Sequence, residues 1–163
     1  VSFGSVRFGG HDLSESLGPA PQGGGTGKAM KKRVLFVCYG NSCRSILAEA
    51  LARHTWGNSV DACSAGMDPL GYVTPYTLEV LREIGVLTAG FESKPISAID
   101  LSRVDLVVNL TNDPIRPFLP AKFPAKVVDW YVMDPFGEGL GAFRQARDAI
   151  RWLVTEQLPK WLA

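Results

Sequence analysis

At 163 residues, 46% apolar and 20% charged, the chain has the make-up of one globular domain that needs neither disulfides nor metal to hold its core. Seventeen basic residues against sixteen acidic ones leave a formal charge of +1, which excludes a broad electrostatic case for nucleic acid or a membrane surface. No apolar run approaches the ~18 residues of a membrane span, and three cysteines, too few for a disulfide framework and odd in number, point to a reducing, cytoplasmic setting.

Residues 1–29 carry Gly4, Gly9, Gly10, Gly18, Gly23, Gly24, Gly25 and Gly27 and no sustained apolar period, so burial cannot offset the entropy of ordering them. They lack the apolar stretch of a secretory signal, and Asp12 and Glu15 cancel Arg7 and Lys28, against a transit peptide. The segment reads as a flexible extension, or one added in cloning, ahead of a natural-looking start at Met30-Lys31-Lys32-Arg33. Residues 23–29 imitate a nucleotide phosphate loop. Gln22, however, stands where its first glycine belongs, Ala29 replaces its hydroxyl residue, and no strand precedes it.

From Met30 the elements alternate. Val34-Leu35-Phe36-Val37 is a continuous apolar run, the pattern of a strand buried on both faces. A polar loop follows, and then Ile46, Leu47, Ala50, Leu51 and His54 recur at helical spacing, with Ser45 suited to cap that helix. Residues 60–64 predict a second strand. Thr74-Pro75 opens a helix with Leu78, Leu81 and Ile84 inward and Gly85 at its end. Residues 105–110 and 126–128 predict two more strands. Residues 140–162 predict one long amphipathic helix with Phe143, Ala146, Ile150 and Leu153 buried. The order predicts a single-domain α/β fold over residues 30–163: a doubly wound sheet of about four parallel strands flanked by helices. Sites in such sheets lie beyond the carboxyl ends of the strands, where the loop at Cys38 falls.

That loop, Cys38-Tyr39-Gly40-Asn41-Ser42-Cys43-Arg44-Ser45, joins a strand to a helix N-terminus, so its backbone N–H groups can form an anion-binding nest. Arg44 can present a planar fork to two oxygens of a tetrahedral oxyanion, and a cysteine at the base of such a positive field is an activated nucleophile. A thiolate aimed at bound phosphorus means covalent phosphoryl transfer.

Cys-x-Gly-Asn-x-Cys-Arg-Ser after an apolar strand resembles the low-molecular-weight protein tyrosine phosphatases, which share a fold with thioredoxin-coupled arsenate reductases. The likeness extends to Ser64-Ala65-Gly66, the Leu81…Gly85 helix end and Asp134-Pro135. Two departures are Ile46 after Ser45, and Phe91-Glu92-Ser93-Lys94 where many relatives begin with a histidine. The resemblance implies hydrolysis of phosphotyrosine or other aryl phosphates through a phosphocysteine. Cys38 is then the nucleophile and Arg44 the oxyanion clamp, Asn41 braces the loop and Ser45 donates to the thiolate. Tyr39, Gly40, Asn41, Ser42, Cys43, Arg44 and Ser45 together make the phosphate-binding loop. Inorganic phosphate or a similar oxyanion is the expected product and inhibitor.

Leaving-group protonation calls for a carboxylic acid over the loop. Asp-Pro occurs at Asp68, Asp113 and Asp134, so the dipeptide alone selects nothing. In the family the acid precedes the last helix, which selects Asp134, with Phe136 in the following aromatic place. Tyr39, Trp130, Tyr131 and Phe136 are the candidate wall for an aryl substrate, with Tyr72 and Tyr76 weaker candidates. Cys43 in relatives can pair reversibly with the nucleophile, while Cys63 reads as packing. No metal or other cofactor is expected, since His11 and His54 are isolated. Two alternatives stay open. Arsenate reduction on the same loop would need an external thiol, because residues 109–118 contain no cysteine; a catalytically silent phosphate-binding module is the other.

Overall fold

Residues 30–163 are described by the computed structural model. The glycine-rich stretch and its nucleotide-loop imitation lie outside the described residues. Val34 to Val37 form the centre of strand β1 (Lys32–Cys38) and are wholly buried. A strand this apolar must be covered on both faces, and it is. Val34 and Phe36 pack among the helices, whereas Leu35 and Val37 face a second cluster with Val107, Ile115 and Leu119.

After β1 come helix α1 (Arg44–Trp56), strand β2 (Val60–Gly66), helix α2 (Pro75–Arg82), strand β3 (Leu106–Asn109), strand β4 (Lys126–Asp129) and helix α3 (Leu140–Trp152). A widened turn (Leu153–Gln157) and helix α4 (Leu158–Leu162) end the chain. The sheet is parallel throughout, in the order β2-β1-β3-β4. The chain therefore leaves β1 first to one side and later returns on the other, so the crevice beyond the carboxyl end of β1 is the topological switch point. Cys38 is the last residue of β1, in register with Gly66 of β2. The α-helices share one core cluster; on the opposite face, residues of short 3-10 turns such as Ile96 and Leu101 pack against the sheet.

Local chemistry explains most boundaries. Thr74 adopts extended backbone and Pro75 begins α2, where a missing N–H costs nothing. Gly85, at φ +75°, turns the chain so that the Val86 N–H reaches the Leu81 carbonyl. The inner face of α2 is Thr77, Val80 and Leu81, one step round from the expected stripe, with Leu78 half-buried. His54 is exposed, because α1 buries its first nine residues against its surroundings and only then emerges.

The expected single C-terminal helix is interrupted. Pro159 has no N–H for the carbonyl four residues back, and the backbone widens into a π-turn over Leu153–Gln157 just before it. Trp56 Nε1 donates to the Val154 carbonyl there at 2.9 Å, tying the end of α1 to the widened turn. The buried stripe consequently runs Phe143, Ala146, Ile150, Val154, Leu158, leaving Leu153 half-buried. Ile150 is central to this seam and fully buried. Ile150→Ala should lower stability by about 2–5 kcal/mol, read from the urea midpoint.

Candidate active site

Loop 38–45 is shaped by where its carbonyls go. The Cys38, Tyr39 and Gly40 carbonyls accept from the N–H groups of Met67, Asp68 and Leu70, and Gly40 also from Ser93 Oγ. The Ser42 carbonyl accepts from Thr74 N and from Thr77 Oγ1, the latter at 2.9 Å. With the carbonyls turned outward, the N–H groups are left inward. Among the described residues, none of the backbone N–H groups of residues 39 to 44 donates to a protein acceptor. This is the nest anticipated from sequence, a ring of free donors over a helix N-terminus.

Asn41 holds the loop from beneath. It takes the left-handed conformation (φ +45°), which Asn tolerates better than most residues. Its Oδ1 accepts from Lys94 N at 2.9 Å, and its Nδ2 donates to Ser45 Oγ at 2.8 Å and Ser64 Oγ at 2.9 Å. Ser45 does not cap α1. Cys43 occupies that position without a side-chain capping bond, and Ser45 Oγ lies 2.9 Å from Cys38 Sγ instead. Because Ser45 already accepts from Asn41, its one proton is available to the sulfur. Asn41 and Ser45 therefore support the loop from behind rather than lining the cleft above it. Ser42 lines the cleft, but its hydroxyl is engaged with the Tyr72 carbonyl at 2.7 Å and the Thr74 N–H at 3.0 Å.

The cleft measures about 240 Å³ and brings Cys38, Tyr39, Gly40, Ser42, Cys43, Arg44, Asp134 and Phe136 together with Asp68 and Leu70. Arg44 is almost wholly buried. Its Nη1 donates to the Val132 carbonyl at 3.3 Å, its Nη2 lies 3.3 Å from Asp134 Oδ2, and among the described residues its Nε has no partner. A buried guanidinium with an unspent donor at the edge of a nest is equipped to clamp an oxyanion. Asp134 stands half-exposed at the mouth, its Oδ1 accepting from Phe136 N at 3.1 Å. One carboxylate oxygen is thus held by the Phe136 N–H and the other faces the Arg44 guanidinium.

The aromatic wall is smaller than expected. Tyr39 and Phe136, each about half-exposed, line the cleft. Trp130 does not: it is buried, its ring centroid 6.0 Å from that of Phe36, because the chain leaving β4 still faces the helical core at that point. Tyr131 points the opposite way, strongly exposed, against a separate pocket with Asn109 and Asp113. Asp68, an Asp-Pro aspartate set aside above in favour of Asp134, and Leu70, which the sequence did not single out, also line the cleft. They follow β2, whose carboxyl end adjoins Cys38, so the strand-end rule that located the loop reaches them too.

The other two thiols differ in setting. Cys43 lies 3.4 Å from Thr74 Oγ1, and burial pushes its thiol up. Cys63 packs against the sheet, and burial pushes it up to about 11. Among the described residues no three His, Cys, Asp or Glu side chains converge as metal ligands, and no helix is long and apolar enough to cross a membrane.

The family described as "Low molecular weight phosphotyrosine protein phosphatase" matches residues 33–162. An arsenate reductase of Staphylococcus haemolyticus is 34% identical over 126 residues, 76% of this chain and 94% of its own length. Among solved structures, an arsenate reductase in the phosphate-binding state superposes with a TM-score of 0.71 at 30% identity, covering 80% of this chain and 98% of that one. An arginine phosphatase from Geobacillus stearothermophilus gives 0.71 at 27% identity, covering 79% and 92%.

Loop and sheet meet at Gly66, where an added Cβ would lie 2.8 Å from Tyr39 O and 2.9 Å from Asn41 N. Backbone atoms cannot step aside as a flexible side chain would. Gly66→Ala should therefore cost about 1–3 kcal/mol in urea denaturation and lower phosphate affinity, read by calorimetry, more than the stability loss alone would.

Proposed function

The chain belongs to the low-molecular-weight phosphotyrosine protein phosphatase family, and from that premise we propose that it hydrolyses aryl phosphate monoesters, phosphotyrosine included, through a phosphocysteine. The non-bridging oxygens of the phosphoryl group sit in the ring of loop N–H donors with Arg44 across two of them. Cys38 attacks in line, forming the S–P bond as the P–O bond to the phenol breaks, and Asp134 gives its proton to the departing oxygen. Asp134, now a carboxylate, takes a proton from water as that water attacks phosphorus. The S–P bond breaks, and phosphate leaves. Ser45 donates to the sulfur whenever it carries charge, at the start and again as it departs. Tyr39 and Phe136 flank the aryl ring.

The observation that carries this reading is Asp134. Its carboxylate is held at the mouth by the Phe136 N–H and faces Arg44 at 3.3 Å, beside an aromatic wall. A departing phenolate makes direct use of such an acid, with Tyr39 and Phe136 beside it for the ring. The names of the relatives favour arsenate reduction as a second reading. In it Cys38 would displace water from arsenate, and an external thiol would attack the arsenic-bound sulfur, releasing arsenite and leaving a mixed disulfide for a second thiol to reduce. Among the described residues no cysteine follows β3, and Cys43 is turned to Thr74, so the reductant must come from outside.

Purified protein should release phosphate from an aryl phosphate faster than from phosphoarginine, and should not turn over arsenate with added small thiols. Arsenate turnover alone would establish the second reading. Cys38→Ser should abolish turnover while retaining phosphate binding. Asp134→Ala should cost about 10²–10⁴-fold on phenyl phosphate but only several-fold on an ester of an acidic phenol, because the acid matters in proportion to leaving-group basicity. Equal losses on both esters would remove Asp134 from the acid role.

A further inference from the structure

Glu49 is buried, with 3% of its side chain exposed, and no step of the proposed hydrolysis uses it. Its Oε1 accepts from Arg53 Nη2 at 2.7 Å and its Oε2 from Ser64 Oγ at 2.8 Å. Ser64 Oγ accepts from Asn41 Nδ2, whose second N–H goes to Ser45 Oγ, which lies 2.9 Å from Cys38 Sγ. A continuous buried line of hydrogen bonds thus runs from a carboxylate on α1 to the candidate nucleophile.

The direction of that line comes from counting protons. An amide nitrogen offers two N–H groups and each serine a single O–H. Both serines accept from Asn41, so each must give its proton to its other neighbour: Ser64 to Glu49, Ser45 to Cys38. Asn41 cannot turn its amide over, because Lys94 N–H needs the Oδ1. A carboxylate can only accept, which makes Glu49 the fixed end.

We propose that Glu49 is a positioning residue: as the acceptor-only end of this line it takes the Ser64 proton, so that Ser64 accepts from Asn41 and, together with the Lys94 N–H on Oδ1, pins the Asn41 amide in the sense that obliges Ser45 to present its proton, not its lone pairs, to Cys38. The inference rests on Cys38 being the nucleophile. Burial pushes the Glu49 carboxyl up, and Arg53 is the main counterweight. The Arg53 guanidinium also lies 5.3 Å from the centre of the Phe91 ring and donates through Nε to the Ala62 carbonyl at 3.3 Å. The other titratable groups facing Glu49 are Lys94, from the loop before β3, and the thiol of Cys63 on β2.

The test is the pH profile of Cys38 alkylation by iodoacetamide, followed by mass spectrometry on the intact full chain. In Glu49→Gln, Arg53 still demands an oxygen, so the amide turns its NH₂ toward Ser64, which then faces two donors. The profile should move up by about one pH unit, the size of one charge-assisted hydrogen bond, and kcat on an aryl phosphate should fall about tenfold with KM little changed. Adding Arg53→Met removes the demand. The amide can then face its oxygen to Ser64, and the profile should return toward that of the unaltered protein. Ser64→Ala cuts the line by a small-for-small exchange and should raise the profile even if Glu49→Gln does not fold. An unchanged profile in Ser64→Ala or in folded Glu49→Gln, or a double variant no better than the single one, overturns the proposal. Alkylation requires no turnover, so a protein inactive on phosphate esters would defeat the hydrolase reading and leave this test standing.

Discussion

A loop that binds an anion through its own backbone has to keep its N–H groups unpaired, and unpaired N–H groups are normally the ones a fold eliminates. Here the cost is met by over-satisfying the other side of the same peptide units. The carbonyls of residues 38 to 40 and 42 are each bonded to the segments after β2 or at the start of α2. Asn41 then bridges the loop to Lys94 and Ser64 from below. The bowl is thus held by structure on its outer surface, and the positioning of Arg44, Cys38 and the helix N-terminus is a result of that.

This division of labour explains which parts were legible in the sequence. β1 reads as a buried strand because Val34 to Val37 leave no polar face, and the loop reads as an oxyanion site because its residue types make chemical sense only together. Boundaries set by local backbone chemistry, Thr74-Pro75 and Gly85, were equally readable. What resisted reading were directions. Trp130 and Tyr131 are neighbours of similar chemistry, and which one turns inward depends on the phase of the chain leaving β4, which composition does not carry. Ser45 had a good local reason to cap a helix and a better tertiary one to face Cys38. The π-turn before Pro159 is a different case, since the proline was in plain view; the apolar period simply masked the missing N–H. Glu49 was invisible for another reason: a glutamate in a helix is ordinarily assumed to face water.

The relationship between phosphatases and arsenate reductases also becomes intelligible at the level of parts. Both chemistries need a thiolate beneath a cradle for a tetrahedral oxyanion, and the loop supplies that whichever reaction the bound anion then undergoes. They part over the groups that lie above the bowl. A hydrolase needs a proton donor and a wall for the leaving group; a reductase needs thiols to take up the oxidation. In this chain Asp134, Phe136, Asp68 and Leu70 line the cleft beyond the loop, and its second thiol, Cys43, belongs to the loop itself and is turned to Thr74.

One guanidinium belongs to both halves of this arrangement. Arg44 grows out of the cradle, yet its Nη1 holds the Val132 carbonyl, which Asn112 Nδ2 also holds at 3.1 Å, and its Nη2 faces Asp134. Floor and rim are therefore keyed to each other through a single side chain instead of through a hinge. Exchange of rim segments between related proteins, as in a chimera, is then constrained at the two points Arg44 grips, the carbonyl of residue 132 and the carboxylate of residue 134.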